Sequence, residues 1–389
     1  MTRIISFEIE GLAGRTKPVQ HVLNDDVNVF WGPNGNGKTS MLKVLHSALT
    51  NDVEILRSVA FDSARVEFFS EDRNRTLTRT ITSEQVRKVQ RTRQPVYDRD
   101  QGHYFIWRSS EPSETSDWTT TPKTKNSAVR FSHGWLPITR ITDSAPLSRR
   151  NHPPDTASRL TEADIDDLFS EGIEGRWQQW RYRSNAEIKV AQDVALTEVL
   201  EVALRGVSKR DKSVKPLEPK LAYEVVSTFF GERNPNLGFK FRSYEEFARR
   251  YEADPLLRDI VQRLEKVESR ISDIEAPQKR LEELIRDLFS NGRKVVFTPE
   301  SIVVSVRGSD IPLGSLSSGE RQLMLILLEC LRGGTSTIMI DEPELSMHVA
   351  WQNRLVDSMR RVNPRSQLIM ATHSPEVMAE LADRCVIEL

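Results

Sequence analysis

A glycine-rich stretch between two apolar segments constrains this chain more than any other feature. Residues 32–39 read GPNGNGKT, and the apolar run VNVF at 27–30 precedes them. The next residues, SMLKVLHSALT, place their apolar side chains on one helical face. Glycines let successive backbone N–H groups turn towards an anion, and the start of a helix adds positive charge. The pattern G-x-x-x-x-G-K-[ST] in this setting predicts a phosphate-binding loop; the alternative is a glycine-rich turn that only caps a helix.

We expect the whole loop to surround the phosphates of a nucleotide. Its residues are Gly32, Pro33, Asn34, Gly35, Asn36, Gly37, Lys38, Thr39 and Ser40. Lys38 would reach the β- and γ-phosphates, and the hydroxyl group of Thr39 would be a ligand of Mg²⁺.

A second candidate segment, TIMIDEPE at 337–344, is an apolar strand that ends in carboxylates. Asp341 and Glu342 would lie at the carboxyl edge of a sheet, where ligands bind in open α/β folds. Asp341 would hold Mg²⁺ directly or through water, and Glu342 would polarise a water molecule for attack on the γ-phosphate. The alternative is a strand that ends in a solvated acidic turn before Pro343.

Two further turns precede predicted helices. In LSSGERQ at 316–322, Ser317 and Glu320 form a capping box before the apolar run Leu323 to Leu328. The capping box alone explains these residues without any function, but the same start of a helix could also contact a γ-phosphate. In MATHSPE at 370–376, Ser374 is a good N-cap, and His373 follows an apolar strand. A lone histidine is more often structural than catalytic, so both interpretations stay open until the motifs are taken together.

Four motifs in this order resemble those of ABC-type ATPases of the SMC, RecF and OLD group. They are GPNGNGKT, LSSGE, IDEPELSMHVAWQ and MATHSPEV. LSSGE is similar to the signature LSGGQ, with Ser318 and Glu320 in place of glycine and glutamine. The chain looks most like compact bacterial "AAA family ATPase" proteins that resemble antiphage-defence ATPases. The resemblance implies an α/β P-loop NTPase with an ABC-ATPase-type core and a mixed sheet, split by a mainly helical insertion with a short coiled-coil-like arm.

The resemblance also implies roles for individual residues. Lys38, Glu342 and His373 would be catalytic, and Thr39 and Asp341 would hold Mg²⁺. Ser317, Ser318 and Gly319 would contact the γ-phosphate of ATP held by a second copy of the chain. Glu320 and the D-loop residue Ser346 would also bind the nucleotide, and His373 would be the switch histidine. These roles imply a Mg²⁺-dependent ATPase, a phosphoric anhydride hydrolase, that dimerises head-to-tail around two ATP molecules.

Two parts of the ABC pattern have no clear match. No glutamine can be assigned as the Q-loop residue, because the expected place after GWLP offers Thr139 and Arg140. An aromatic ring usually stacks on adenine in transporter ATPases, and here His21 and Phe30 are the candidates.

The pattern along the chain predicts three segments. Residues 1–145 form the N-terminal part of the core, with the phosphate loop and an antiparallel subdomain that includes a hairpin at 64–82. Residues 146–290 form the helical insertion, and residues 291–389 complete the core with alternating strands and helices, which favours a parallel sheet. A heptad seam runs through Leu257, Ile260, Leu264, Val267, Ile271 and Ile274 before Pro277 breaks it. It predicts a short helical arm or hairpin, or else an amphipathic helix packed on its own domain.

Charge and cysteine content limit where the protein is expected to be located and which partners it is expected to bind. The net charge of -1 gives no general attraction to nucleic acid or anionic membranes. Cys330 and Cys385 lie in apolar stretches and predict buried thiols in a reducing compartment. Without an apolar run long enough to span a bilayer, we expect a cytoplasmic protein that binds no membrane. A basic stretch could contact DNA, or could be an ordinary solvated surface; it consists of Arg73, Arg75, Arg79, Arg87, Lys88, Arg91 and Arg93.

Three functions are compatible with the motifs. The first is an ATP hydrolase whose dimer or higher oligomer acts on DNA or licenses a separate effector protein in antiphage defence. The second is a slow-hydrolysing ATP-dependent scaffold or sensor that holds a toxic partner. The third, an ATPase subunit of a membrane transporter, is disfavoured by the SMC-like D-loop and the long helical insertion. Because the chain ends soon after His373, we expect no appended nuclease domain.

Overall fold

The fold of the chain comes from a computed structural model, in which two compact units are distinguished. The described residues are 2–92, 96–98, 103–105, 117–122, 130–136, 162–205, 216–233, 243–289 and 293–389. The first unit comprises Met1–Gln178 and Leu281–Leu389, and the second comprises Gln179–Arg280.

All fifteen strands of the described residues lie in the N-terminal and C-terminal parts of the sequence. They are β1 (Thr2–Glu10), β2 (Val19–Val22), β3 (Val27–Trp31), β4 (Ser63–Ser70), β5 (Arg75–Thr82), β6 (Val96–Asp98), β7 (His103–Phe105), β8 (Thr119–Thr121), β9 (Gly134–Leu136), β10 (Arg293–Phe297), β11 (Ile302–Val306), β12 (Ser309–Ile311), β13 (Ile338–Asp341), β14 (Leu368–Thr372) and β15 (Val386–Glu388).

Helices connect the strands and make up the described part of the middle of the sequence. They are α1 (Lys38–Thr50), α2 (Ser83–Thr92), α3 (Glu162–Arg205), α4 (Pro219–Ser227), α5 (Tyr244–Ala253), α6 (Pro255–Leu288), α7 (Ser318–Gly333), α8 (Val349–Gln352), α9 (Leu355–Val362) and α10 (Pro375–Met378).

The first unit contains a parallel sheet in the order β15-β3-β14-β13-β9. Strands β13 and β14 are buried along their whole length, as expected when both faces of a parallel sheet are covered. The parallel sheet predicted for the C-terminal block is therefore confirmed. Because the strands are parallel, the carboxyl ends of β3, β13 and β14 meet at one edge, and the glycine-rich loop follows β3 there.

An antiparallel sheet in the order β2-β1-β4-β5-β8 packs beside it. The predicted hairpin is confirmed as β4 and β5, with Asn74 in the left-handed conformation at the turn (φ 47°). The two sheets are linked by hydrogen bonds: the Ile4 N–H donates to Gln367 Oε1 at 2.9 Å, and the Thr337 N–H donates to the Thr2 carbonyl at 2.9 Å. One apolar cluster includes residues of both sheets and the buried face of α1. Together they confirm an α/β core with sheets of both kinds.

The predicted basic surface is wrong at Arg79, because this side chain belongs to the core. Arg79 is 1% exposed, donates to the carbonyl oxygens of Ala48 and Leu49 at the end of α1, and lies over the ring of Phe131 at 5.1 Å. Alternation along β5 explains its burial, since Arg79 shares a strand face with the buried Leu77 and Ile81. Arg87 and Lys88 are exposed, whereas Arg93 and the side chain of Arg91 lie outside the described residues.

We expect Arg79→Met to lower the free energy of unfolding by about 3 kcal/mol, since each buried polar group left without a partner costs roughly 1–3 kcal/mol. Methionine retains most of the buried volume but cannot donate to the last carbonyl groups of α1. Urea unfolding measures the change. The matched control is the exposed Arg87→Met, expected to stay within about 0.5 kcal/mol of the original chain; equal stability of the two variants would contradict the structural role of Arg79.

In the second unit the heptad seam is buried by neighbouring helices. Leu264, Val267 and Ile271 of α6 share one apolar cluster with residues of α3, α4 and α5. Of the two predicted alternatives, this arrangement matches the amphipathic helix packed on its own domain. The interruption of the heptad seam at Pro277 does not end the helix, because α6 continues through this residue. A proline inside a helix removes one hydrogen bond and costs about 3 kcal/mol, and the long buried faces before and after Pro277 offset that cost.

No helix in the described ranges is both long enough and apolar enough to cross a membrane.

Candidate functional site

The loop between β3 and α1 has the backbone that an anion requires. Gly35 (φ 86°) and Gly37 (φ 89°) adopt left-handed conformations that side chains disfavour. Gly37 is the N-cap of α1, and no side chain caps that end of the helix. The first N–H groups of α1 are therefore available to a phosphate. Gly32 is also constrained by space, since a Cβ atom there would lie 2.8 Å from the carbonyl oxygen of Leu389.

Lys38 lies at the centre of the site and is almost completely buried. Its Nζ atom donates to the carbonyl oxygens of Gly32 and Pro33 at 2.8 and 3.2 Å. The same atom lies 2.8 Å from Nε2 of His373. Burial lowers the pKa of Lys38, and the nearby carboxylates of Glu342, Asp341 and Glu344 oppose that change.

Glu342 and His373 are in direct contact, with 2.9 Å between Oε1 and Nε2. Burial, together with the neighbouring carboxyl groups of Glu344 and Asp341, raises the pKa of Glu342 to about 8 against the opposing charge of Lys38. Burial and the charge of Lys38 lower the pKa of His373.

The sheet explains why residues far apart in sequence meet here. Lys38 follows β3, Asp341 ends β13, and His373 follows β14. Asp341 is paired in register with Ala371 and is 2% exposed. Glu342 then adopts a left-handed conformation (φ 48°) in which its N–H still donates to the Ala371 carbonyl at 2.8 Å.

The residues near the loop fit the magnesium ion expected with a nucleotide. Asp341 supplies a carboxylate and Thr39 a hydroxyl group, and Mg²⁺ prefers oxygen ligands. Proteins usually bind this ion through one or two such groups together with substrate phosphates.

The serine-rich turn before α7 forms the predicted capping box. The Ser317 hydroxyl accepts a hydrogen bond from the Glu320 N–H, and Glu320 Oε2 accepts one from the Ser317 N–H at 2.8 Å. Glu320 also forms an ion pair with Arg293. A Cβ atom on Gly319 would lie only 2.6 Å from the Ser346 carbonyl oxygen. The turn at Ser317 therefore packs against the segment that contains Ser346, and the hydrogen bonds found for this turn among the described residues do not reach the glycine-rich loop.

Two polar residues that the sequence did not single out complete the site. Glu344 Oε1 accepts hydrogen bonds from the turn that carries His373. Gln352 Oε1 accepts one from the Ser374 hydroxyl at 2.7 Å. The second carboxylate of DEPE, directly after Pro343, was a usable signal for Glu344. We find no comparable sequence signal for Gln352.

The remaining candidates are placed as follows. Thr139 and Arg140 lie outside the described residues. Phe30 is fully buried, so its ring offers no face to an adenine base. His21 packs its ring against Phe7 and Phe30, with centroids 5.7 and 5.6 Å away.

Comparison with protein families finds a match over residues 27–379 to the family described as "AAA domain, putative AbiEii toxin, Type IV TA system". Among curated proteins, the chain is similar to the retron Vc95 probable ATPase of Vibrio cholerae, at 30% identity over 117 residues, which cover 26% of this chain and 23% of that protein. It is also similar to the retron Ec83 probable ATPase of Escherichia coli, at 26% identity over 102 residues, which cover 23% and 19%. The matched region thus spans about a fifth of the length of these relatives.

Solved structures with similarity to the chain include SMC head domains. One, from Pyrococcus furiosus and bound to the C-terminal domain of ScpA, has a TM-score of 0.43 at 16% identity, with 100% of this chain and 93% of that chain covered. Another, from Thermotoga maritima, has a TM-score of 0.39 at 11% identity, with 97% and 91% covered.

Proposed function

The chain belongs to the family described as "AAA domain, putative AbiEii toxin, Type IV TA system", and from that premise we propose that it binds and hydrolyses Mg·ATP. The observation that carries the proposal is the contact of Lys38 with His373 and of His373 with Glu342. A cation, an acid–base group and an imidazole thus converge beside an uncapped, glycine-rich helix start. A helix cap alone would require only the glycines.

Each group has a defined part in the proposed reaction. The loop N–H groups and Lys38 bind the β- and γ-phosphates and stabilise the charge that develops during transfer. Glu342 orients the attacking water and accepts its proton, and His373 lies next to the carboxylate that does so. Asp341 and Thr39 would hold Mg²⁺, which neutralises phosphate charge when bound.

We further propose that two copies of the chain close head-to-tail around ATP. In one copy the signature turn is packed on the D-loop and not on the phosphate loop, so Ser317, Ser318, Gly319 and Ser346 would contact the nucleotide of the partner. The D-loop surface supports this arrangement, because Leu345 is 56% exposed and the neighbouring Val349 is 51% exposed. Exposed apolar side chains at such a place suit a protein interface.

For the biological role we propose a cytoplasmic ATPase of antiphage defence that controls a separate effector protein. The support is the similarity to proteins named retron probable ATPases. The exposed side chains of Arg87 and Lys88 could contact DNA phosphates. Because such contacts neutralise phosphate charge, DNA binding through them would depend strongly on salt concentration.

Nucleotide binding and phosphate release by the full chain test the proposed activity. We expect Lys38→Ala to weaken ATP binding by about 10–100-fold, because a hydrogen bond to a charged group contributes about 1.5–3 kcal/mol. Calorimetry with Mg·ATP measures the affinity, and a phosphate assay measures turnover. Lys43→Ala, on the same helix but outside the site, is the matched control and should resemble the original chain. Absence of ATP binding by the original chain, or equal turnover of the two variants, would refute the proposal.

A further inference from the structure

We propose that Glu344 is a positioning residue that fixes the His373 turn in the geometry needed for ATP hydrolysis, an inference that rests on the proposed function. Its Oε1 atom accepts three hydrogen bonds from consecutive residues. The donors are the Thr372 hydroxyl at 2.6 Å, the His373 N–H at 2.8 Å and the Ser374 N–H at 3.1 Å. One carboxylate oxygen therefore determines the path of the backbone on both sides of the imidazole.

The turn needs this acceptor because it has left the sheet. Strand β14 ends at Thr372 and α10 begins at Pro375, so the N–H groups between them lie beyond the strand ladder. Ser374 is buried, and a buried backbone donor without an acceptor is costly, whereas His373 lies on the exposed side of the turn. A carboxylate is a strong acceptor for these N–H groups, since charge-assisted hydrogen bonds are roughly twice as strong as neutral ones.

The contact between Glu344 and the His373 turn can affect hydrolysis because of where this carboxylate lies relative to the reacting groups. Glu344 lies two residues after Glu342, on the segment that leaves β13, whereas its three donors follow β14. It thereby joins the two segments that carry Glu342 and His373, whose side chains are 2.9 Å apart. A displacement of about 1 Å in such a constellation can cost about 10²-fold in rate. A contact that only stabilised the fold would have no reason to act through His373.

The remaining contacts of the turn show why Glu344 cannot easily be replaced. Ser374 has additional partners, because its N–H also donates to the Thr372 hydroxyl at 3.0 Å and its own hydroxyl donates to Gln352. For the His373 N–H, Glu344 is the acceptor found among the described residues. Loss of the carboxylate therefore releases the backbone at the histidine itself.

The test is a double-mutant cycle on the full chain with Mg·ATP. We expect Glu344→Ala to lower kcat by about 10²-fold, with KM changed by less than about threefold because the phosphate loop is intact. In a His373→Ala background the same substitution should cost less than about threefold, since residues that act through one another are not additive. Full additivity, or a change confined to KM, would overturn the proposal.

Glu344→Gln is the conservative variant that separates this role from misfolding. Its amide oxygen can still accept from the turn, so we expect it to restore turnover to within about tenfold of the original chain. Rescue no better than that of Glu344→Ala would overturn the positioning role.

Hydrogen exchange at the His373 and Ser374 amides gives a result that does not depend on hydrolysis. Glu344→Ala should increase exchange there by more than about tenfold, whereas Glu344→Gln should increase it less. Unchanged exchange would overturn the inference about Glu344. If Glu344→Ala increases exchange as expected but the original chain does not hydrolyse ATP, the proposed function has failed and the inference about the turn has not.

Discussion

Glu342→Gln is expected to lower the rate of phosphate release by about 10²–10⁴-fold while ATP stays bound, because proton transfer by a positioned group contributes that much to a rate. Glutamine has the shape of the glutamate and can still hydrogen bond to water, but it cannot accept a proton. Lys38 and the phosphate loop are unchanged by the substitution. We therefore expect the ATP affinity to stay within about threefold of that of the original chain.

Two measurements on Glu342→Gln test the loss of hydrolysis and the formation of a dimer separately. Single-turnover phosphate release reports the chemical step, and light scattering after gel filtration with Mg·ATP reports the mass of the assembly. If hydrolysis normally opens the dimer, Glu342→Gln should accumulate as a dimer with nucleotide retained. Glu380→Gln, an exposed position, is the matched control. Normal turnover in Glu342→Gln would contradict the role of Glu342 as the base, and a monomer saturated with ATP would contradict the head-to-tail dimer.

Those features that depend on local chain chemistry could be predicted from the sequence. The phosphate loop requires glycines at positions with φ near 86–89°, and few other residues tolerate that region. The capping box at Ser317 and the hairpin turn at Asn74 follow from equally local rules. Alternating strands and helices predicted the parallel sheet, because parallel strands need long crossover connections.

Features that depend on contacts between distant segments could not be predicted as well. The alternation of β5 placed Arg79 on the apolar face, but only the structure shows that it satisfies the carbonyl groups at the end of α1. Its charge suggested a solvated surface because buried arginines are rare. The continuity of α6 through Pro277 could not be predicted for a related reason, since the buried contacts that keep this helix continuous come from other parts of the chain.

The same limit applies to the site. Lys38, Glu342 and His373 belong to recognisable motifs, and the parallel sheet brings them together. Glu344 binds a turn almost thirty residues away, a distance at which sequence periodicity carries no information. Its relation to His373 depends on how β13 and β14 pair.

The buried carboxylate of Glu329 supports the largest stability prediction. It lies on α7, is 1% exposed and accepts from the Trp135 N–H at 3.2 Å. It also accepts from the Nε atoms of Arg176 and Arg332 at 3.3 and 3.0 Å. Helix α7, strand β9 and the part of α3 that belongs to the first unit therefore meet at a single negative charge. Removing one partner of a buried ion pair typically costs about 3–5 kcal/mol, and we expect a loss of that size for Glu329→Ala.

The source of this expected loss can be tested by removing the two arginine charges together with Glu329. Most of the expected loss comes from stranding the positive charges of Arg176 and Arg332, since a buried ion pair contributes little net stability against apolar groups of similar size. We therefore expect the triple variant Glu329→Leu, Arg176→Met, Arg332→Met to unfold at a higher urea concentration than Glu329→Ala. The exposed Glu283→Ala is the matched control and should change the free energy of unfolding by less than about 0.5 kcal/mol. A triple variant less stable than Glu329→Ala would show that the cluster contributes net stability through its geometry, and that α3 and β9 depend on the charge itself.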